Sequence, residues 1–250
     1  DVFRGALGTS ESVYMNAGND SVIANGSTTN PDYYDGGVGI DTINMSASGG
    51  NLFIDMPNGV TSVVSGATGT ASDAIVNFEY IIGGSGNDTV IGTTGNDTLV
   101  MGTGNDSYAP GLGNDTIYEN PGEGMDTLDY SAVGGAVTVA AFIGVGSTDG
   151  SFTVAGAAGN DMIDNLTGSN IGQIMEVFKL TEYNDRFVGT GYAETVLAGS
   201  GDDTIQTGSL DGATQSFNDS IDGGAGNDWL DYTYTAQYVT VDMVNGNAVV

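Results

Sequence analysis

Four nine-residue segments of nearly the same sequence follow one another in the middle of the chain. They read GGSGNDTVI, GTTGNDTLV, MGTGNDSYA and PGLGNDTIY, and they cover residues 83–118. In each segment a glycine occupies the fourth place, an aspartate the sixth and a large apolar residue the eighth. A short fixed period of this kind is typical of a solenoid, whose units stack on their neighbours. Six turn-forming residues followed by three extended ones predict a turn and a short strand.

The same register continues outside this block. A second run places acidic residues nine apart, and a shorter run begins near the start of the chain. Their positions are Asp20, Asp41, Glu176, Asp185, Glu194, Asp203, Asp219 and Asp228. Between the runs lie phrases with alternating β-branched residues, such as AVTVAAF, which predict strands. A helix is predicted only for Gly172–Thr181.

A longer period overlies the short one, because each run ends in a similar phrase that begins at Asp41, Asp126 or Asp228. We therefore predict four segments. Residues 1–44 are the end of a preceding run, and residues 232–250 are the start of a truncated third module. Between them lie module 1 (45–129), with its repeat run at 79–129, and module 2 (130–231), with its run at 176–231.

The charge of the chain excludes several functions. Lys and Arg total 3 against 32 Asp and Glu, so the net charge is −29. Such a chain repels nucleic acid and anionic membranes. The uncharged run Tyr130–Thr148 contains four glycines and predicts strand and turn rather than a membrane span. Because the sequence has no Cys and no His, the available metal ligands are carboxylate and carbonyl oxygens, which suit calcium.

The spacing of the acids points to the same ion. If two nonapeptides form one coil of a solenoid, the turns form two columns with Asp88 beside Asp106 and Asp97 beside Asp115. Columns of bare carboxylates repel one another, and a divalent cation between successive turns reverses that interaction. The alternative is an Asp- and Gly-rich solenoid without metal, whose uncompensated carboxylates disfavour folding.

The lines GGSGNDTVI, GGVGIDTIN and GGAGNDWLD resemble the Gly-Gly-x-Gly-x-Asp-x-U-x repeat of RTX proteins, the hemolysin-type calcium-binding repeat. The resemblance implies an all-β fold: a parallel β-roll, or β-solenoid, built from calcium-binding nonapeptides with interspersed longer β-coils. It implies several bound Ca²⁺ ions. It also implies export from a bacterium by a type I system, so we expect a secreted protein that is extracellular or on the cell surface.

The resemblance further implies that each ion takes alternate carbonyls and the Asp of one turn together with those of the turn 18 residues on. One site would use Gly84, Gly86 and Asp88 with Met101, Thr103 and Asp106. A second would use Thr93, Gly95 and Asp97 with Pro110, Leu112 and Asp115. The other candidate ligands are Asp20, Gly37, Gly39, Asp41, Gly104, Gly122, Gly124, Asp126, Glu194, Gly199, Gly201, Asp203, Asp219, Gly224, Gly226 and Asp228.

Four acids depart from the pattern, and a fifth is a solvated neighbour. Glu194, Glu79 and Glu176 carry a longer side chain than Asp, and of these Glu79 and Glu176 are predicted to be structural cap positions rather than ligands. Asp185 follows Glu-Tyr-Asn instead of glycines, so a full site is not expected there. Asp202 is predicted to face solvent beside the ligand Asp203.

No catalytic constellation stands out, and we predict that the chain is not an enzyme. The first hypothesis is a calcium-binding, structural segment of a secreted bacterial surface protein, such as an S-layer subunit, adhesin or filament. Its partners would be neighbouring copies or modules of the same protein, with a cell-surface polysaccharide as a further candidate. The second is an accessory RTX domain of a type I-secreted enzyme or toxin. The third is a calcium-dependent carbohydrate-binding module that uses Trp229 and nearby tyrosines, although these are predicted to pack a module junction.

Overall fold

The fold is described from a computed structural model. It describes residues 1–5, 10–24, 30–63, 72–119, 123–141, 152–164, 175–190, 192–206, 219–233, 240–242 and 247–249. All regular secondary structure in these residues is β-strand. The chain divides into two compact units, Asp1–Glu119 and Asn120–Val250. The four segments predicted from the sequence remain a prediction.

Unit 1 contains two sheets. One consists of parallel strands in the order β1 (Val2–Arg4), β3 (Ser21–Ile23), β5 (Thr42–Asn44), β9 (Tyr80–Ile82), β11 (Thr98–Val100) and β13 (Thr116–Tyr118). The other has the order β2 (Ser12–Tyr14), β4 (Tyr33–Asp35), β8 (Ser72–Val76), β7 (Val60–Val63), β6 (Leu52–Asp55), β10 (Thr89–Ile91) and β12 (Ser107–Ala109). Strand β7 runs antiparallel to β6 and β8.

Unit 2 repeats this plan. One sheet has the order β17 (Gly159–Asp164), β16 (Phe152–Gly156), β15 (Val137–Ala141), β19 (Arg186–Val188), β21 (Thr204–Gln206) and β23 (Trp229–Asp231). The second contains β14 (Thr127–Asp129), β18 (Val177–Lys179), β20 (Thr195–Leu197) and β22 (Ser220–Asp222). A separate antiparallel pair joins β24 (Thr240–Asp242) to β25 (Asn247–Val249).

The pairing register shows two nonapeptides per coil. Val90 pairs with Tyr108, and Leu99 with Ile117, so partners lie 18 residues apart in parallel strands. An insertion lengthens one coil of unit 2, where Ile205 pairs with Leu230. The predicted all-β fold, a parallel β-roll with two nonapeptides in each coil, is therefore confirmed.

The core of each unit is a row of inward-facing side chains. In a three-residue strand the central side chain faces opposite to its neighbours, so the eighth place of the repeat points inward. Val90, Leu99, Tyr108 and Ile117 are accordingly fully buried. In unit 2 the inner row includes Phe152, Phe178 and Phe187, whose successive ring centroids lie 4.8 Å apart. The rings are tilted by 57° and 59° to one another, and tilted aromatic pairs of this kind add to the stabilisation that burial of the rings provides.

The segments between the runs form longer coils with antiparallel hairpins. The hairpins are β6–β7–β8 in unit 1 and β15–β16–β17 in unit 2. Strand β15 confirms the strand prediction for the described part of the uncharged run; residues 142–148 lie outside the described residues. No helix long and apolar enough to cross a membrane is found in the part of the chain that the structure describes.

The helix predicted near residue 176 is wrong where the structure describes it. Val177–Lys179 is strand β18, and it pairs in parallel with β14 and β20. Residues 172–174 of that prediction lie outside the described residues. The sequence Glu-Val-Phe lies in the register of the repeat, and Phe178 is the buried inner residue of its strand. Pairing with the neighbouring coils therefore determines the structure here, and the local helical pattern does not.

Candidate calcium-binding turns

Successive turns of the roll are linked through their acidic side chains. The backbone N–H of Asp88 donates a hydrogen bond to Oδ1 of Asp106 (2.7 Å). The N–H of Asp97 donates in the same way to Oδ1 of Asp115 (2.8 Å). The side chains that the sequence placed in two columns therefore lie one coil apart and in contact through the backbone. We call this series of contacts the acid ladder.

The acid ladder is present in both units. In unit 1 the N–H of Asp20 donates to Asp41 (2.7 Å). In unit 2 the N–H of Asp185 donates to Asp203 (2.7 Å), and that of Asp203 donates to Asp228 (3.1 Å). Glu79 and Glu176 accept from the N–H groups of Asp41 (2.9 Å) and Asp126 (2.7 Å). This contact is consistent with the structural role predicted for both glutamates.

One carboxylate oxygen of several acids is left for a cation. Asp20, Asp41 and Asp203 are buried, and among the described residues their Oδ2 atoms have no hydrogen-bond partner. A buried carboxylate oxygen without a donor is costly, and it is the ligand type that calcium prefers. Burial and the neighbouring carboxylates of Asp185 and Asp228 raise the pKa of Asp203 to about 6. The donor set therefore fits a calcium ion.

Backbone carbonyls supply the rest of a calcium-like environment. A Cβ atom on Gly102 would lie 2.3 Å from the carbonyl oxygen of Gly84, and one on Gly104 would lie 1.9 Å from that of Gly86. Both second-turn glycines have positive φ, +97° and +141°, which only glycine adopts readily. The carbonyls of one turn thus point at the glycines of the next turn, where a side chain would fill the space. Gly224 and Gly226 repeat this geometry in unit 2.

The structure brings together the turns of both fully mapped sites. The turn that ends at Asp88 lies against the turn that ends at Asp106, and the Asp97 turn lies against the Asp115 turn. Gly37 and Gly39 lie against Asn16 and Gly18 of the preceding turn. Gly122 lies outside the described residues. Ligation by each of the candidate residues remains a proposal.

Three predicted acids have protein donors on their carboxylates. Thr93 donates to Asp97 through its N–H (2.6 Å) and its hydroxyl (3.0 Å). Thr181 does the same for Asp185 (2.7 and 2.8 Å). Thr190 donates to Glu194 through its N–H (2.8 Å) and its hydroxyl. Burial, together with the nearby carboxylate of Asp219, raises the pKa of Glu194 to about 8.

The sequence analysis missed a second ladder. The side-chain oxygen of Asn87 accepts from the N–H of Asn105 (3.0 Å), and that of Asn96 accepts from the N–H of Asn114 (2.9 Å). These contacts run in the opposite sense to the acid ladder, because here the earlier side chain accepts from the later backbone. The sequence does contain a feature that indicates this second ladder. Asparagine fills the fifth place of all four central repeats, and an asparagine side chain commonly forms hydrogen bonds with nearby backbone groups.

Buried acids outside the turns bind tyrosine hydroxyls. Tyr130 Oη donates to Asp161 Oδ2 (2.6 Å), and both residues are buried. Asp161 ends a Gly-Asn-Asp triplet like those of the repeat, yet it lies in strand β17 and not in a turn. Tyr108 likewise donates to Glu119 within unit 1.

The aromatic residues proposed for carbohydrate binding are only partly described. Trp229 is 69% exposed, and because residues 234–239 lie outside the described residues, its packing at a module junction remains a prediction. Tyr232 is partly buried, whereas residues 234 and 238 lie outside the described residues.

The coils, the acid ladder and the carbonyl-lined turns define the class: a parallel β-roll of calcium-binding nonapeptides. Comparison with family models agrees. The model described as Peptidase M10 serralysin C terminal matches residues 9–152, and the model described as RTX calcium-binding nonapeptide repeat (4 copies) matches residues 181–209 and 214–232. The first covers more than half of the chain, so the chain belongs to the serralysin C-terminal family. No curated protein matches it.

Family membership establishes the general chemistry. The nonapeptide repeats bind Ca²⁺ ions, and the repeats and the serralysin C-terminal domain are non-catalytic. Both families indicate an extracellular protein that is exported by a type I system.

Proposed function

We propose that the chain is a calcium-stiffened structural segment of a secreted bacterial surface protein, such as an S-layer subunit, adhesin or filament. The observation that carries the proposal is the acid ladder. It runs through the repeat coils of both units and leaves carboxylate oxygens for ions rather than for a substrate. Calcium between successive turns ties each coil to the next and stiffens an otherwise flexible, acidic chain.

The charge of the chain supports an assembly that also depends on calcium. With a net charge of −29, two copies repel each other at low ionic strength. Calcium neutralises the turns and can bridge acidic faces of separate copies. Neighbouring copies or modules of the same protein are therefore the proposed partners, and an anionic cell-surface polysaccharide bridged by calcium is the further candidate.

Sedimentation of the purified 250-residue chain tests the assembly. We expect assemblies that grow with protein concentration at millimolar calcium and dissociate when a chelator is added. Magnesium at equal ionic strength is the control, because it favours tight octahedral geometry and keeps its waters. A chain that is folded in calcium yet remains monomeric at all concentrations would contradict self-assembly.

A second candidate is an accessory β-roll of a type I-secreted enzyme or toxin. The match of residues 9–152 to the serralysin C-terminal model favours it. In this function the roll folds outside the cell and assists the release or folding of a catalytic domain. Fusing the chain to a reporter enzyme distinguishes the two: calcium-dependent recovery of reporter activity favours the accessory role, and calcium-dependent assembly without any effect on the reporter favours the structural role.

A further inference from the structure

The first nonapeptide turn after each spacer differs from the turns that follow it. Four acids end such first turns: Asp88, Asp97, Asp185 and Glu194. Each accepts a hydrogen bond from the backbone N–H of the residue four positions earlier, at 3.1, 2.6, 2.7 and 2.8 Å respectively. In three of the four, that earlier residue is a threonine whose hydroxyl binds the same carboxylate.

The three threonines make one recurring motif. The Thr93 hydroxyl accepts from the N–H of Gly95 (2.9 Å) while it donates to Asp97 (3.0 Å). The Thr181 hydroxyl accepts from Tyr183 (3.1 Å), and that of Thr190 accepts from Tyr192 (3.1 Å). Each hydroxyl therefore closes the turn and satisfies its acid at the same time. This pairing resembles the side-chain capping of a helix end.

The second turns use glycine at the same place. Gly102, Gly111 and Gly199 stand four residues before their acids with φ of +97°, +99° and +98°. A Cβ on Gly111 would lie 2.1 Å from the carbonyl oxygen of Thr93, and one on Gly199 would lie 2.0 Å from that of Thr181. A threonine is therefore excluded from the second turn by the first turn that lies against it.

First turns can carry threonine where second turns need glycine because the neighbour that precedes a first turn is a spacer and not another nonapeptide turn. On its spacer side, the Asp97 turn faces a cavity of about 430 Å³ lined by Asn58, Phe78 and Glu79, among others. Apart from the Asp97 turn itself, the residues that line this cavity come from the β6–β7 turn (56–59) and from residues 75–79, and neither segment is a glycine-bearing nonapeptide turn. An ion on this side would therefore lack the carbonyl ligands that a preceding nonapeptide turn supplies. A carboxylate at this position needs donors from the protein, and the threonine supplies two.

We propose that Thr93, Thr181 and Thr190 are positioning residues that cap the spacer end of three of the four columns. They hold the first acid of their column with protein donors in place of an ion, and calcium enters only between that turn and the next one. The proposal concerns ion placement in the β-roll and does not depend on the surface role proposed above.

A calcium-loaded crystal of the full chain, with ions located by anomalous scattering, tests the placement directly. We expect peaks between first and second turns and none in the cavity on the spacer side of Asp97, with the Thr93 hydroxyl still bonded to its carboxylate. An ion coordinated by Asp97 within that cavity would overturn the proposal.

Variants test the energetic role in solution. Thr93→Val keeps the shape of the side chain but removes the hydroxyl, so we expect the folding equilibrium constant in saturating calcium to fall on the order of five-fold, as for a lost helix cap. The number of bound ions stays the same. Thr93→Ser, which keeps the hydroxyl, restores most of the loss. Thr94→Val, at the exposed tip of the same turn, is the matched control.

Other outcomes contradict the proposal. Valine keeps the backbone carbonyl of residue 93, which is a candidate calcium ligand, so a Thr93→Val chain that loses one bound ion would show that the Thr93 hydroxyl is itself an ion ligand. An unchanged folding constant would show that the hydroxyl does not act as a cap. If the valine variant does not fold, the anomalous map of the natural chain decides between the two arrangements without it.

Discussion

At the scale of single residues, each turn aspartate has two tasks. Oδ1 of Asp203 accepts from the N–H of Asp185, which joins two coils, whereas Oδ2 is buried and without a hydrogen-bond partner among the described residues. The first contact needs only an oxygen acceptor, but the second needs a cation. Substitutions that preserve one property and remove the other can therefore separate the two tasks.

We predict different effects for Asp203→Asn and Asp203→Ala. Both remove the charge and weaken calcium binding. The amide retains an acceptor for the N–H of Asp185, whereas alanine leaves that buried group unsatisfied, at a cost of about 1–3 kcal/mol. Urea unfolding in calcium should therefore rank the natural chain above the asparagine variant, with the alanine variant lowest.

The same pair has a second readout in chelator. In chelator, where most of the natural chain is expected to unfold at neutral pH, Asp203→Asn should retain at least as much of the β-spectrum, because it removes a buried charge without a counterion. Asp202→Asn is the control: its side chain is exposed, and the amide keeps an acceptor for Asn227. If Asp202→Asn and Asp203→Asn lose the same stability in calcium, the Asp203 carboxylate does not have the separate role of binding a cation.

At the scale of the turn, glycines are required where one turn lies against the next. Gly104 has φ of +141°, and a Cβ there would meet the carbonyl oxygen of Gly86 at 1.9 Å. By contrast, a Cβ on Gly49 would have nothing within 4 Å. Glycine content alone therefore does not tell which glycines the fold needs.

We predict that Gly104→Ala destabilises the calcium-loaded chain by about 3 kcal/mol, because it combines an unfavourable φ with overpacking against backbone. Gly49→Ala should change the free energy of unfolding by less than about 0.5 kcal/mol. Urea melts at fixed calcium measure both. A loss of similar size in the two variants would show that the close approach of the turns is not what Gly104 provides.

Much of the repeat coil could be predicted from the sequence. The nine-residue period determines the 18-residue coil, the inner row that includes Leu99 and Ile117, and the columns of acids. Other features could not be predicted so directly. The strand at Val177–Lys179 depends on its neighbours β14 and β20 rather than on local preference, and Asp161 carries the repeat triplet but lies in a hairpin. The threonine caps depend on which turn faces a spacer, which requires the stacking order.

At the scale of the whole molecule, the fold depends on balancing negative charge. Columns of buried carboxylates favour the unfolded chain unless cations compensate them, and binding energy becomes folding energy because the turns are absent when the chain is unfolded. Only three Lys and Arg residues are present in the sequence, so the protein's own cations cannot substitute; Lys179 forms one ion pair, with Asp129 (2.8 Å).

We predict that removal of calcium unfolds most of the chain at neutral pH. Circular dichroism should show loss of the β-spectrum in chelator and its recovery when calcium is returned. Magnesium should restore it poorly, because turn carbonyls and carboxylates do not offer tight octahedral geometry. An unchanged β-spectrum and melting temperature in chelator would contradict metal-coupled folding.

The stability of the calcium-free chain should fall as pH rises. Burial raises the pKa of Glu194 to about 8, of Glu176 to about 7, and of Asp73, Asp97 and Asp203 to about 6. A raised pKa means that these acids bind their protons more tightly in the folded state than in the unfolded chain. Their contribution to the free energy of unfolding is therefore fully present below the ordinary carboxyl pKa range and is lost as pH rises toward 8.

Circular dichroism in chelator between pH 4.5 and 8 measures this dependence, and the β-spectrum that is lost near neutral pH should return as pH falls. In saturating calcium Asp203 faces a divalent ion instead of a proton, so the loss of stability with rising pH should be smaller. A calcium-free chain whose β-spectrum strengthens as pH rises would show that these groups are not held protonated in the folded chain.

The difference between a nine-residue repeat and an 18-residue coil limits how such an array can lengthen in evolution. Duplication of one nonapeptide would exchange the two sides of every later coil, so that a capped turn would no longer face its spacer. Duplication of a pair adds one complete coil and keeps both sides in place. Gene rearrangements that add or delete pairs are therefore the tolerated ones, and related arrays should differ in length mainly by whole coils.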